Sequence, residues 1–392
     1  MEESKYPCKV SLALMFRVFL RLGLTSFGGP AAHIGFFHDE FVKRRQWLSD
    51  SAYGEIVALC QLLPGPASSQ VGLTLGFLQR GYAGAGVAWL GFTLPSALVM
   101  TLFALGFSFW PAGGEPGWIA GLKLFVVAVV AQAVWQMGRT LCPDRVRLAL
   151  ALAVAALLLV TGAAWIQVFA LAAAGVAGAS LHRPDKDVGA PLTLPVQGRW
   201  PLAFMAIFAV LLVLSLLPLG SGGLLWLGAE MFRAGALVFG GGHVVLPWLQ
   251  ESFVASGQMP TDTFLAGYGA AQAVPGPLFT FSAFIGTIEA GLTGAVVALV
   301  AVFLPGTLLV FAGLPLWGFV RRHPRARAAL AGVNAGVVGL LLAALYDPVW
   351  TSAVHSATGL ALVLILWAGL AIWRVPVWLL AVASALAGAL AL

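Results

Sequence analysis

Apolar positions fall along this chain in long blocks separated by short polar gaps. Residues 82–108, 118–138, 292–320 and 326–346 are near-continuous apolar runs. At about 1.5 Å per residue each is long enough to cross a hydrocarbon core about 30 Å thick. Residues 148–181 are rich in Ala and Leu but interrupted at Thr161-Gly162, which predicts a hairpin of two short helices; 353–392 repeats that pattern with a break at Arg374-Val375-Pro376. A single span is expected at 201–217, after the polar linker His182 to Arg199. Two segments are not simple spans: Leu12 to Phe37 is broken at Phe27-Gly28-Gly29-Pro30, and Ala52 to Gln79 at Pro64-Gly65-Pro66. Proline removes a backbone donor and clashes with the preceding turn, so each break ends one helix and starts another. These segments are either re-entrant hairpins or Pro-kinked helices that cross fully.

The same punctuation occurs twice. Displacing the chain by about 212 residues lays Arg21-Leu22-Gly23 over Arg233-Ala234-Gly235 and Phe27-Gly28-Gly29 over Phe239-Gly240-Gly241. Gln61 and Pro64-Gly65-Pro66 then meet Gln272 and Pro275-Gly276-Pro277, and Leu94-Pro95 meets Leu304-Pro305. Such register, carried by Gly, Pro, Arg and Gln, indicates an internal duplication. Lys and Arg are retained in cytoplasmic loops, and here they alternate between the copies. The loop His38 to Asp50 holds Lys43, Arg44 and Arg45, whereas its counterpart Glu251 to Asp262 holds none. Phe109 to Gly117 holds none, whereas its counterpart carries Arg321, Arg322, Arg325 and Arg327; Arg139, Arg145 and Arg147 stand against the non-basic Tyr346 to Ser352. The expected fold is therefore an all-α polytopic membrane protein of two homologous halves in inverted topology, with broken or re-entrant helices. Residues 1–181 form the first repeat, 182–223 a linker with one connecting transmembrane helix, and 224–392 the second, inverted repeat. The N-terminus is expected in the cytoplasm and the C-terminus outside it.

Composition agrees. Of 392 residues 60% are hydrophobic and 9% charged, against about 25% charged in soluble domains, so most of the outer surface faces lipid. A soluble enzyme, a disordered chain and a disulfide scaffold are excluded. The start, MEESKYPCKV, is polar and no small-residue cleavage site follows, so no removable signal peptide is expected. Cys8, Cys60 and Cys142 have no CxxC spacing. The net charge of +6 sits in short loops, a topology signal and not a nucleic-acid patch.

The breaks are where chemistry is expected. A helix N-terminus attracts anions through unpaired N–H groups and a partial positive charge. The break Pro64 to Pro66 would start a helix with Ser68, Ser69 and Gln70 in its first turn; the break Pro275 to Pro277 offers Thr280. The breaks at Gly28-Gly29 and Gly240-Gly241 would start helices carrying His33 and His243. Four such termini converging at the midplane would form a pocket of donors, to which Gln61, Gln70 and Gln272 add side chains. Arg17, Arg21, Lys123 and Arg233 lie within apolar stretches, where each costs about 2.5–3.5 kcal/mol at a helix centre. Arg21 and Arg233 stand six residues before Phe-Gly-Gly in both halves, and a guanidinium fork suits oxyanions. The competing reading pairs these arginines with Glu55 and Glu230, or lets them snorkel, which is the better account of Arg17. Lys123 matches Asn334, so its charge exists in one half only. His33 and His38 are five apart, wrong for one helical face, so no metal is expected, and no cofactor motif or hydrolase signature occurs.

At these residues the chain resembles the chromate ion transporter family in its long, two-domain form. The resemblance rests on FxRLGxxSFGGPxAH (Phe19 to His33), HDEFVKRRQWLSD and QLLPGPxSSQ (Gln61 to Gln70) in the first half. The second half supplies FRAGxLVFGGGHVVLPWL (Phe232 to Leu249) and AQAVPGP (Ala271 to Pro277). It implies a non-enzymatic exporter of chromate, a tetrahedral dianion, in the bacterial inner membrane, conferring chromate resistance by alternating access driven by membrane potential or exchange. A sulfate or other oxyanion transporter, an anion channel, and a membrane-embedded enzyme or scaffold are the alternatives. The small-residue stretches 81–86 and 377–392 permit close helix contacts, within one chain or in a homodimer.

Overall fold

A computed structural model describes residues 10–108, 117–161, 164–181, 200–239 and 242–391. The linker 182–199 and the turn at Gly162 lie outside the described residues. The elements, in order, are α1 (Leu12–Thr25), α2 (Gly29–His38), α3 (Asp50–Leu62), α4 (Ala67–Ser108), α5 (Gly117–Leu141), α6 (Arg145–Thr161), α7 (Ala164–Leu181) and α8 (Trp200–Ser215). The second repeat follows with α9 (Leu224–Leu237), α10 (Val245–Gln250), α11 (Thr261–Ala273), α12 (Phe281–Arg322), α13 (Pro324–Ala344), α14 (Ala357–Ala371) and α15 (Val377–Ala391). Among the described residues there is no strand. Among the described residues four helical stretches are long and apolar enough to cross a membrane: Ala67–Phe107, Gly117–Leu141, Leu278–Gly313 and Pro324–Trp350. Loop charge and matched backbone geometry make this an all-α, multi-pass membrane fold of two inverted halves.

The duplication is visible in the backbone. In α4 the helix reverses at Arg80 (φ −143°) and Gly81 (φ 62°, ψ −151°); in α12 the same reversal stands at Ala290 (φ −148°) and Gly291 (φ 62°, ψ −151°). Only glycine adopts such a positive φ without strain. Residues either side fold back on each other: a methyl at Gly76 would lie 2.8 Å from Ala88 Cβ, and one at the matched Gly286 2.7 Å from Ala298 Cβ. Helix α3, of 13 residues, is about 20 Å long, short of a crossing. It turns at Pro64 to Pro66 so that Cys60 Sγ comes 3.9 Å from Thr74 Oγ1. The segment Ala52 to Gln79 thus folds as a hairpin of two short helices.

Two compact units cut across the sequence repeats. The first comprises 1–109, 191–242 and 274–315; the second comprises 110–190, 243–273 and 316–392. In the first unit α1 packs along the outer part of α4, because Gly23 and Gly91 let the two backbones touch. Phe19, Phe37, Phe41 and Phe92 fill the space beneath them. In the second unit α5 is central, flanked by α11, α13, α14 and α15. Small residues set its seams. Ser384 Oγ donates to Gly121 O at 2.5 Å, and a methyl at Gly178 would lie 2.7 Å from Gly332 Cα. The small-residue stretch 377–392 therefore packs within the chain, through Ser384 and Gly388.

Candidate functional site

A Pro-Gly-Pro segment has one backbone donor, the glycine N–H, because neither proline carries one. At membrane depth an unmet donor costs several kcal/mol, so it must find an acceptor in the protein. In the first unit each such donor is met by the other repeat. Gly65 N–H donates to Val238 O at 2.6 Å, and Gly276 N–H donates to Ser26 O at 2.9 Å. Val238 and Ser26 are matched residues, each one before Phe-Gly-Gly. The breaks therefore meet in reciprocal pairs, the arrangement expected of two-fold-related halves. Close approach is built in: a methyl at Gly65 would lie 3.0 Å from Gly306 Cα, and one at Gly276 2.8 Å from Ser96 Oγ. Ser96 and Gly306 are again matched, each directly after the Leu-Pro pair.

Several buried polar groups surround this crossing. His33 is 1% exposed and spans Ser26 O (Nε2, 3.1 Å) and Ser68 Oγ (Nδ1, 3.3 Å). The carbonyl can only accept, so Nε2 carries the proton and Nδ1 accepts from the Ser68 hydroxyl. Gln70 donates from Nε2 to Pro64 O at 2.8 Å and to Gly306 O at 3.4 Å. Ser96 Oγ donates to Thr93 O at 3.1 Å. Left without a partner among the described residues are Ser26 Oγ, Ser69 Oγ, Thr93 Oγ1 and Gln70 Oε1.

The second half differs. There the chain resumes after Pro277 as a 3-10 turn, Leu278–Thr280, in which Thr280 N and Oγ1 both donate to Pro277 O. After the glycine break it resumes as a 3-10 turn Gly242–Val244 followed by the six-residue α10. Four equivalent helix termini are therefore not formed. Among the described residues only α2 and α4, in the first repeat, begin as α-helices directly at their breaks. Gly240 and Gly241 lie outside the described residues.

The remaining candidates are placed as follows. Gly28 (φ 101°) and Gly29 (φ 76°) make the first turn, and Pro64, Pro66, Pro275 and Pro277 make the crossing. Arg21 is exposed on α1, and Gln61 is exposed near the end of α3. Arg233 forms an ion pair with Glu230 one turn earlier, while its buried Nε has no partner among the described residues. In the second unit Lys123 Nζ, 6% exposed, donates to Asp262 Oδ1 at 2.8 Å, so its charge is met by a carboxylate. Also in that unit His243 Nδ1 lies 3.0 Å from Tyr268 Oη and 3.3 Å from Gln272 Nε2. Asn334 is half-buried on α13. His38 Nε2 pairs with Asp50 Oδ1 at 2.6 Å and not with His33. The second unit also holds a cavity of about 120 Å³ lined in part by Gln167, Glu251 and Asp347. Its carboxylates oppose an anion, and burial raises the Glu251 pKa.

Sequence reasoning missed Ser26, Thr93, Ser96 and Gly306. The available signal was their position beside the matched Phe-Gly-Gly and Leu-Pro pairs.

Duplicated broken helices that meet face to face define a membrane transporter built on repeats. The chain belongs to the chromate transporter family, whose profile matches it twice, over residues 13–179 and 225–389. It is 31% identical over 346 residues to the chromate transport protein of Pseudomonas aeruginosa, covering 87% of this chain and 82% of that protein. It is 31% identical over 350 residues to the chromate transport protein of Cupriavidus metallidurans (85% and 82%). The probable chromate transport protein of Synechococcus elongatus is 28% identical over 348 residues (85% and 84%). No solved structure matches.

Proposed function

We propose that this protein carries chromate out of the cytoplasm and so confers chromate resistance, with the crossing of the breaks as the transport site. The observation that carries the reading is the reciprocal bonding of Gly65 to Val238 and Gly276 to Ser26. It brings together backbone freed from helices in both repeats, close to the starts of α2 and α4. The names of the relatives supply the substrate. A dianion leaving a cell that is negative inside gains about 2.3 kcal/mol per charge per 100 mV, so outward flux needs no other energy source. Alternating access follows if one repeat rocks against the other about the crossing. Arg21, six residues before the break and not compensated in the way Arg233 is by Glu230, supplies most of the local positive field. The N-terminus and the basic loop after α2 face the cytoplasm.

The test is flux in proteoliposomes with the imposed voltage varied. Outward chromate movement that scales with voltage and shows counterflow is the expected result. No chromate flux, or sulfate flux that chromate does not compete with, refutes the substrate; currents without counterflow refute the carrier mechanism.

A further inference from the structure

Two-fold backbone geometry at the crossing is filled with two different sets of side chains. On the first-repeat side stand Ser26, His33, the Ser68-Ser69-Gln70 run, Thr93 and Ser96. At the matched places the second repeat has Val238, Val245, the run Phe279-Thr280-Phe281, Phe303 and Gly306. Thr280 is the one hydroxyl in that run, and it is spent on Pro277 O; nearby Ser282 Oγ is spent on Phe279 O. Phe279 and Phe303 pack together with ring centroids 5.7 Å apart.

Among the described residues the buried hydroxyls without a partner all belong to the first repeat. Ser26 is 0%, Ser69 3% and Thr93 1% exposed, and none of the three hydroxyls has a partner among the described residues. Elsewhere in the same unit buried hydroxyls bond the preceding helical turn, as Thr74 does to Gln70 O and Thr287 to Ala283 O. A buried hydroxyl without a partner costs stability, so a group of three calls for a use. The groups beside them are tied together through His33. Ser26 O is held by His33, His33 reaches Ser68 beside Ser69, and the His33 ring stands edge-on to Phe92, the neighbour of Thr93, at 5.3 Å. Ser69 also lies in the first turn of α4, where unpaired N–H groups favour an anion.

We propose that the transported oxyanion is held from one side, by the uncharged donors Ser26, Ser69 and Thr93 of the first repeat, against an apolar wall provided by the second. This rests on the reading that chromate passes through the crossing. His33 is a positioning residue: its two bonds tie the carbonyl before the glycine break to the start of α4. The substrate class is a small, fully deprotonated tetrahedral oxyanion whose oxygens take hydroxyl and backbone donors.

The experiment compares wild type with Ser26→Ala, Ser69→Ala, Thr93→Val and, on the second repeat, Ser282→Ala. It measures chromate flux in proteoliposomes and thermal melting in detergent. Each first-repeat variant is expected to raise the chromate KM about tenfold, the usual order for a hydrogen bond to a charged ligand. Melting temperature should hold or rise, because an unmet polar group has been removed. Ser282→Ala should leave KM within about twofold. A lower melting temperature with unchanged KM assigns the hydroxyls to structure and overturns the proposal. An equal loss in Ser282→Ala overturns the one-sidedness. If wild type itself carries no chromate, the proposed function fails first, so the two failures are distinguishable.

Discussion

Substituting Gly276 by alanine tests the geometry of the crossing directly. Gly276 has φ 101°, and its added methyl would sit 2.8 Å from Ser96 Oγ. Left-handed backbone costs a non-glycine residue about 1–2 kcal/mol, and the overlap adds about 1 kcal/mol, the low end of overpacking, because a hydroxyl can rotate away. The matched Gly65→Ala variant meets backbone as well as a side chain: φ is 121°, Gln70 Nε2 lies 2.9 Å and Gly306 Cα 3.0 Å from the new methyl. There the overlap should approach about 3 kcal/mol. If relief displaces the segment, the Gly65 bond to Val238 is lost as well, for about 1 kcal/mol more. Gly65→Ala should therefore destabilise by about 4–6 kcal/mol and Gly276→Ala by about 2–3 kcal/mol. Ser96→Gly reproduces the residue that faces Gly65 in the other half. It costs about 0.5–1 kcal/mol as a helical glycine, yet combined with Gly276→Ala it should return about 1 kcal/mol as coupling in a double-mutant cycle. Thermal melting of the purified protein in detergent measures all four variants. Equal melting of Gly65→Ala and Gly276→Ala, or strict additivity of Ser96→Gly with Gly276→Ala, refutes the reasoning.

Other outcomes follow from features already described. Arg21→Gln should abolish chromate flux with protein still in the membrane, whereas Arg233→Gln, losing a cation already matched by Glu230, should reduce it less; the reverse order in a vesicle assay rejects the assignment. Glu40, 8% exposed, takes Arg44 at 2.9 Å and Arg45 at 2.6 Å, so Glu40→Gln should lower stability by about 1.5–3 kcal/mol in a thermal melt. Topology can be read with a membrane-impermeant maleimide on whole cells lacking Cys8: Ser256→Cys should label and Lys43→Cys should not. Cys142 stays silent in that assay, because burial pushes its thiol up to about 11 and leaves little thiolate at pH 8.

Much of the architecture was legible because glycine and proline act locally. Pro64-Gly65-Pro66 must break a helix whatever surrounds it, and the duplicated Phe-Gly-Gly and Leu-Pro pairs preserved the register between halves. The Arg233–Glu230 pair, three residues apart on one helix, could be named in advance for the same reason. The partner of Gly65 could not, since no local pattern says which distant carbonyl receives a lone N–H. Lys123 was open to a role at the site until Asp262, 139 residues away, proved to hold it. Ser26, Thr93 and Ser96 read as ordinary polar residues in apolar runs. They stand out only when set beside Val238, Phe303 and Gly306 on a shared backbone.

The bond from Gly65 to Val238 also orders the making of the protein. Synthesis delivers the donor about 170 residues before its acceptor, a delay of about 9–35 s at about 5–20 residues per second. Through that interval the first repeat sits in the bilayer with its turn unfinished, held by water or by the insertion machinery. Completion of the fold is thus a late event, and a chain stopped before residue 238 is a substrate for membrane quality control.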